Sequence, residues 1–233
     1  SFRAMMCRRI TGGLRLAMAT IALSGIGLGC SSVTDGVRSL GSSKSDLKGQ
    51  IMMARLMEHQ GQHVKAQEAY EQLLRKHPKN AEVHHRLALV DHRLGRKDEA
   101  EQHFREAVGG DPNNANLLND FGYWLYLQNR FPEAEEQLKT AIRNEPSNKM
   151  IANNLALALG RQGKVDQAER IFERTTSAAE TQANLGYLYA QLGQLDKSRL
   201  HYARAVELDP QNKTAVDALA QLPDAGLAAE TAG

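Results

Sequence analysis

Between Ala81 and Asn148 the apolar residues recur at helical spacing, and the whole pattern then repeats after thirty-four residues. Leu87-Ala88 leads to Ala100, Phe104, Ala107 and Pro112, and Phe121-Gly122 leads in the same steps to Ala134, Leu138, Ala141 and Pro146. A period of that length belongs to stacked helix-turn-helix units, none of which can bury its own apolar face alone. Laid along the chain, it predicts units over 47–80, 81–114, 115–148, 149–178 and 179–212. Residues 213–222 predict one more helix, with Ala215, Val216, Leu219 and Leu222 as its buried face, to cover the last unit.

Each recurring position has a physical reason. Ala54, Ala88, Gly122, Ala156 and Gly186 on the first helices, with Ala66, Ala100, Ala134 and Ala168 on the second, allow close approach within a unit. Phe104, Leu138, Phe172 and Tyr202 fill the space against the next unit. Gly61, Gly95, Gly163 and Gly193, with Asn129 in their place in the third unit, predict left-handed residues ending the first helices. Asn80, Asn114, Asn148 and Asn212 predict N-caps. The fourth unit is four residues short and has Thr175-Thr176-Ser177 instead of a proline turn; Ser177 with Glu180 predicts a capping box there.

These residues resemble the tetratricopeptide repeat over 47–212. The resemblance implies an all-α, right-handed superhelical solenoid of about five helix-turn-helix repeats plus a C-terminal capping helix. It also implies a protein or peptide partner held on the concave side.

Composition alters this picture little, but charge placement matters. The chain is 42% hydrophobic and only 5% aromatic, rich in helix formers. Its formal charge of +2 is misleading, because Arg3, Arg8, Arg9 and Arg15 all precede residue 30 and no acidic residue does. Without them 25 basic residues face 27 acidic ones, a net of −2. No basic stripe with interleaved aromatics remains for nucleic acid.

The first 29 residues read as a signal peptide. Met5 or Met6 serves as the start, Arg8, Arg9 and Arg15 form a positive region, and Leu16 to Leu28 is an apolar run too short to span a membrane. Gly27-Leu28-Gly29-Cys30 resembles the lipobox of bacterial lipoproteins, which implies lipidation of Cys30, although Gly27 stands where that motif usually carries leucine. The other reading is an ordinary signal peptide with an incidental cysteine. Residues 30–46, with six serines and two glycines from Ser31 to Asp46, read as a flexible linker reaching about 20–25 Å. Ser31 is not the aspartate of inner-membrane retention, so the sorting rule implies the outer membrane, facing the periplasm. Residues 223–233 read as a disordered tail.

No phosphate loop, zinc-binding His-Glu-x-x-His helix, paired cysteines or nucleophile elbow is present, so the sequence predicts neither enzyme, metal site nor cofactor. His59, His85 and His92 fall on concave-facing positions, where a metal or pH-sensing role competes with plain solvation. The groove offers the stronger candidates. Leu89, Tyr123, Leu157 and Tyr187 occupy one groove-facing position in successive units, with Asn119, Tyr126, Asn153, Arg161 and Gln191 nearby. Tyrosines, amides and an arginine combine apolar area with hydrogen bonding, which suits gripping a peptide or helix. Asn154 and Asn184, with Asp120 in the same place, stand where some tetratricopeptide proteins hold a peptide backbone.

The run from Asn119 to Leu138, continued from Asn153 to Phe172, resembles the tetratricopeptide lipoprotein of tight-adherence (Tad/Flp) pilus assembly. That resemblance implies a non-enzymatic, lipid-anchored scaffold with an outer-membrane secretin or pilus component as partner. The alternative is a general envelope scaffold for cell-wall or outer-membrane complexes.

Overall fold

The computed structural model describes residues 44–222. The expectations for the signal peptide, Cys30, most of the linker and the tail lie outside the described residues.

Helix follows helix throughout: α1 Lys44–His59, α2 His63–Lys76, α3 Ala81–Leu94, α4 Lys97–Gly110, α5 Ala115–Leu127, α6 Phe131–Asn144, α7 Lys149–Arg161, α8 Val165–Thr175, α9 Ala178–Gln191, α10 Leu195–Leu208 and α11 Lys213–Gln221. Among the described residues there is no strand, and no helix is long and apolar enough to cross a membrane. Against the bounds expected from the repeat, α1 begins three residues inside the expected linker, α9 begins at Ala178, the last residue of the expected fourth unit, and α11 ends at Gln221.

Local chemistry sets these ends. The side chains of Asn80, Asn114, Asn148 and Asn212 accept from the backbone N–H of Val83, Leu117, Ile151 and Ala215, which satisfies donors the helix cannot. Gly61, Gly95, Gly163 and Gly193 have φ between 73° and 80°, and Asn129 has φ 61°. After each, the next N–H reaches back five residues, as in Arg96 N to Asp91 O at 2.9 Å, closing the last turn of the first helix. Ser177 and Glu180 form the full capping box that starts α9 directly after the shortened α8.

Packing follows from the small positions. A Cβ on Gly122 would lie 2.6 Å from Leu138 Cγ, and one on Gly186 would lie 2.8 Å from the Tyr202 ring. Gly160, to which the repeat gave no role, is tighter still: its Cβ would meet Leu188 at 2.3 Å. Each unit's helices pack together, each second helix packs on the next first helix, and α1–α3, α5–α7 and α7–α9 also touch. A continuous core runs from Ala88 to Leu188, with smaller clusters at the two ends.

The ends depart from the pattern. Met53, the counterpart of Leu87, is 57% exposed, because no described unit precedes α1 to cover it. On α11, Val216 is 41% exposed and Ala218 is buried in its place, so the capping face turns toward Ala215, Ala218, Leu219 and Leu222.

Units one and two also share a buried polar network. Gln67 Nε2 donates to Asp91 Oδ1 at 2.6 Å, His103 Nε2 lies 3.9 Å from Asp91 Oδ2, and the Nδ1 atoms of His84 and His103 are 3.0 Å apart. His84 Nε2 meets the Pro78 carbonyl at 2.9 Å. A carbonyl only accepts, so His84 carries its hydrogen on Nε2, and a neutral His84 then accepts on Nδ1 from His103. That leaves His103 Nε2 bare toward Asp91. Burial pushes the Asp91 carboxyl up to about 6, against the Gln67 hydrogen bond and Arg96, with Glu99 and Glu71 adding to the rise. Burial, then His84, holds His103 below its usual range, partly offset by Glu106 and Glu99.

Because the folded Asp91 value exceeds the unfolded one, its contribution to stability is complete below the ordinary 3.8 and is lost as pH rises through about 6. His103 runs the other way, losing stability as pH falls below its ordinary range. The wild type should therefore gain stability relative to Asp91→Asn as pH falls from about 7.5 to about 5, read from urea midpoints. A constant difference would show that Asp91 does not titrate there.

A candidate partner-binding groove

Side-chain bonds between successive first helices stitch the groove together. Glu58 of α1 pairs with Arg93 of α3. His85 Nε2 lies 2.9 Å from Asp120 Oδ2 of α5, and Asn154 Nδ2 of α7 donates to Asn119 Oδ1 at 2.9 Å. Each of these pairs is separated by thirty-five residues, one more than the repeat, so each joins offset positions on adjacent helices. Asn119 and Asn154 are buried and engaged with each other, and therefore brace the wall between units three and four. Among the described residues the equivalent pair, Asn153 and Asn184, is not bonded, which leaves two partly exposed amides in the groove.

The tyrosines gather as the repeat predicts. Tyr123 and Tyr126, one turn apart on α5, stack with ring centres 6.1 Å apart and planes within 13°. Tyr126 also meets Phe131 at 5.6 Å, at the start of α6. Tyr187 of α9 and Leu157 of α7 belong to the same cluster. Tyr126 is only 7% exposed, and its buried hydroxyl lies beside Arg161 and Tyr187 without a well-aligned hydrogen bond to either. Burial, with Tyr187 nearby, pushes that hydroxyl up to about 12, while burial alone raises Tyr123. All three tyrosines are therefore neutral near pH 7.

Arg161, the last residue of α7, closes one side. Its guanidinium lies over the Phe131 ring at 4.6 Å, and its nitrogens reach Gln191 Oε1 at 3.3 Å and Asn129 Oδ1 at 3.4 Å. It thus bridges units three, four and five. Phe131 had no part in the repeat pattern. Its only sequence signal is an aromatic just after the left-handed Asn129, where the turn folds it back onto α5. The concave-side histidines do not converge: His59 is exposed and His85 bonds Asp120, and among the described residues no group of three or more ligating side chains is arranged so that it could hold a metal ion.

The tetratricopeptide repeat family profile matches residues 51–115 and 121–183, more than half of the chain, and a second repeat profile matches 179–212. The chain belongs to the tetratricopeptide repeat family. Tetratricopeptide domains bind protein or peptide partners and are generally non-enzymatic interaction scaffolds. No curated protein matches the sequence.

Several solved tetratricopeptide structures share the fold. One is pilF of Pseudomonas aeruginosa, at 20% identity and TM-score 0.53, over 75% of this chain and 97% of that one. Another is YrrB, described as a tetratricopeptide protein with an unusual peptide-binding site, at 19% identity and TM-score 0.59, over 82% and 98%. MamA of Desulfovibrio magneticus RS-1 matches at 14% identity and TM-score 0.62, over 74% and 99%. At these identities the likeness is one of fold.

Proposed function

We propose that this tetratricopeptide protein is a lipid-anchored scaffold of the bacterial cell envelope. Its groove grips a protein partner to assist assembly of a pilus or secretion apparatus of the tight-adherence type. The observation that carries the binding role is the cluster of Tyr123, Tyr126 and Tyr187 along the groove, bordered by Arg161. Aromatic residues with a polar tip are the residues that dominate binding energy when a partner covers them. The anchor rests on Arg8, Arg9 and Arg15, the apolar run from Leu16 to Leu28, and Cys30. Ser31 after the cysteine supports the outer membrane, and the pilus partner rests on the sequence resemblance from Asn119 to Phe172.

Affinity capture from envelope extracts with the lipidated protein should recover a secretin or another pilus component. Recovery of cytoplasmic proteins alone would contradict the proposal. Cys30→Ala should abolish incorporation of a clickable palmitate and release the protein from the membrane fraction. Unchanged labelling would remove the anchor from the account.

A further inference from the structure

Arg161, which bridges three units, differs from the other basic groups whose ion pairs hold the array. Arg93 pairs with Glu58, Arg105 with Glu101, Arg130 with Glu101 and Glu133, and Lys139 and Lys164 with Glu135. Arg161 has no carboxylate within ion-pair distance among the described residues. Its contacts are two long bonds to neutral amide oxygens, the face of Phe131 and the neighbouring Tyr126 hydroxyl. Those two bonds occupy two of its five N–H groups, and the stacked ring holds the guanidinium plane in place. A fixed plane with open N–H edges is suited to receiving a carboxylate in a two-pronged bond. Next to it are the uncharged, stacked rings of Tyr123 and Tyr126.

The geometry points to a partner segment that carries an acidic side chain, set on Arg161, beside a large apolar side chain laid against Tyr123, Tyr126 and Tyr187. This inference rests on the groove being the binding surface. Charge complementarity selects the acid, since a lone cation at the edge of an apolar cluster favours an anion and disfavours a basic segment. The acid belongs to a side chain within the partner rather than to its chain end. Arg161 sits at the fourth of five units, with α5 and α9 lining the groove on either side, so the bound segment continues past it in both directions. The free amides of Asn153 and Asn184 then meet its backbone.

The test is selection from a random twelve-residue library, displayed inside a loop so that neither end is free, against the full chain. Selected sequences are remade as peptides with blocked termini and measured by fluorescence polarisation. The expected peptides carry Asp or Glu within three residues of Phe, Tyr, Trp or Leu. Replacing that acid by its amide, or Arg161→Gln, should weaken binding about tenfold or more, and Arg161→Lys should not restore it, because the two-pronged geometry is lost. Thermal melts confirm that each variant is folded.

Peptides without an acid, or binding indifferent to Arg161→Gln, would overturn the inference. In that case loss of binding in Tyr123→Ala would leave the groove reading standing. Indifference to both substitutions would overturn the two together, as would a library that yields no binder. Binding that appears only with a free peptide C-terminus would also overturn it, in favour of a chain-end carboxylate.

Discussion

Gly122→Leu is expected to lower the melting temperature by about 5–10 °C, with the central units failing first. A Cβ at that position would stand 2.6 Å from Leu138 Cγ, 3.1 Å from its Cδ2 and 3.3 Å from the Ala134 carbonyl oxygen. Leu138 is fully buried and Ala134 is backbone of the facing helix, so neither can move aside. Overpacking of this kind costs about 1–3 kcal/mol or more, and each kcal/mol moves the midpoint of a chain this size by about 2–4 °C. The same substitution at Gly109, on the exposed face of α4 with nothing within 4 Å, should be neutral or stabilising, because glycine is the poorer helix former. Similar melts for the two variants would mean that close approach of α5 and α6 does not hold the array together.

Phe104→Ala carries the second large effect. The ring is fully buried, stacks on Phe121 at 5.1 Å, and lies 5.9 Å from Trp124. Truncating a buried phenylalanine costs about 3–5 kcal/mol. In a stacked array, that loss falls on one junction instead of spreading through a common core. The second and third units should therefore uncouple. Trp124, the single tryptophan, sits in that junction and reports on it directly. In urea its fluorescence should change at lower concentration than the far-ultraviolet circular dichroism, which follows all the helices. Coincident curves with a small shift would contradict a nearest-neighbour account of stability.

What could be read from the sequence is what is decided locally. Asn80 caps α3 through its own third neighbour, Asn129 adopts its left-handed turn within one residue, and Ser177 and Glu180 close on each other across three. The small positions were legible too, because close approach leaves only glycine or alanine. The tyrosine cluster was legible because one groove position recurs with the repeat.

What escaped depends on a partner a whole unit away. Asn119 and Asn154 look like groove residues until the thirty-five-residue offset turns them toward each other. The network of Gln67, His84, Asp91 and His103 needs three helices before it exists. Met53 reads as core only if a unit precedes it, and Val216 yields to Ala218 because α11 follows the last unit with nothing stacked beyond it among the described residues. Tyr126 was readable as a site residue but not as a nearly buried one. Tyr126→Phe, which removes only the hydroxyl, is therefore the cleaner probe of binding than truncation to alanine.

The central claim is that the groove around the tyrosines, and not the outer surface of the second helices, meets the partner. Site-specific photocrosslinking tests it most directly, with a benzophenone amino acid at Asn153 in the groove or at Arg170, exposed on α8. In cells, the account predicts one covalent adduct of defined mass from Asn153, absent from Arg170 and reduced by Tyr123→Ala. An adduct from Arg170 alone, unaffected by Tyr123→Ala, would contradict it.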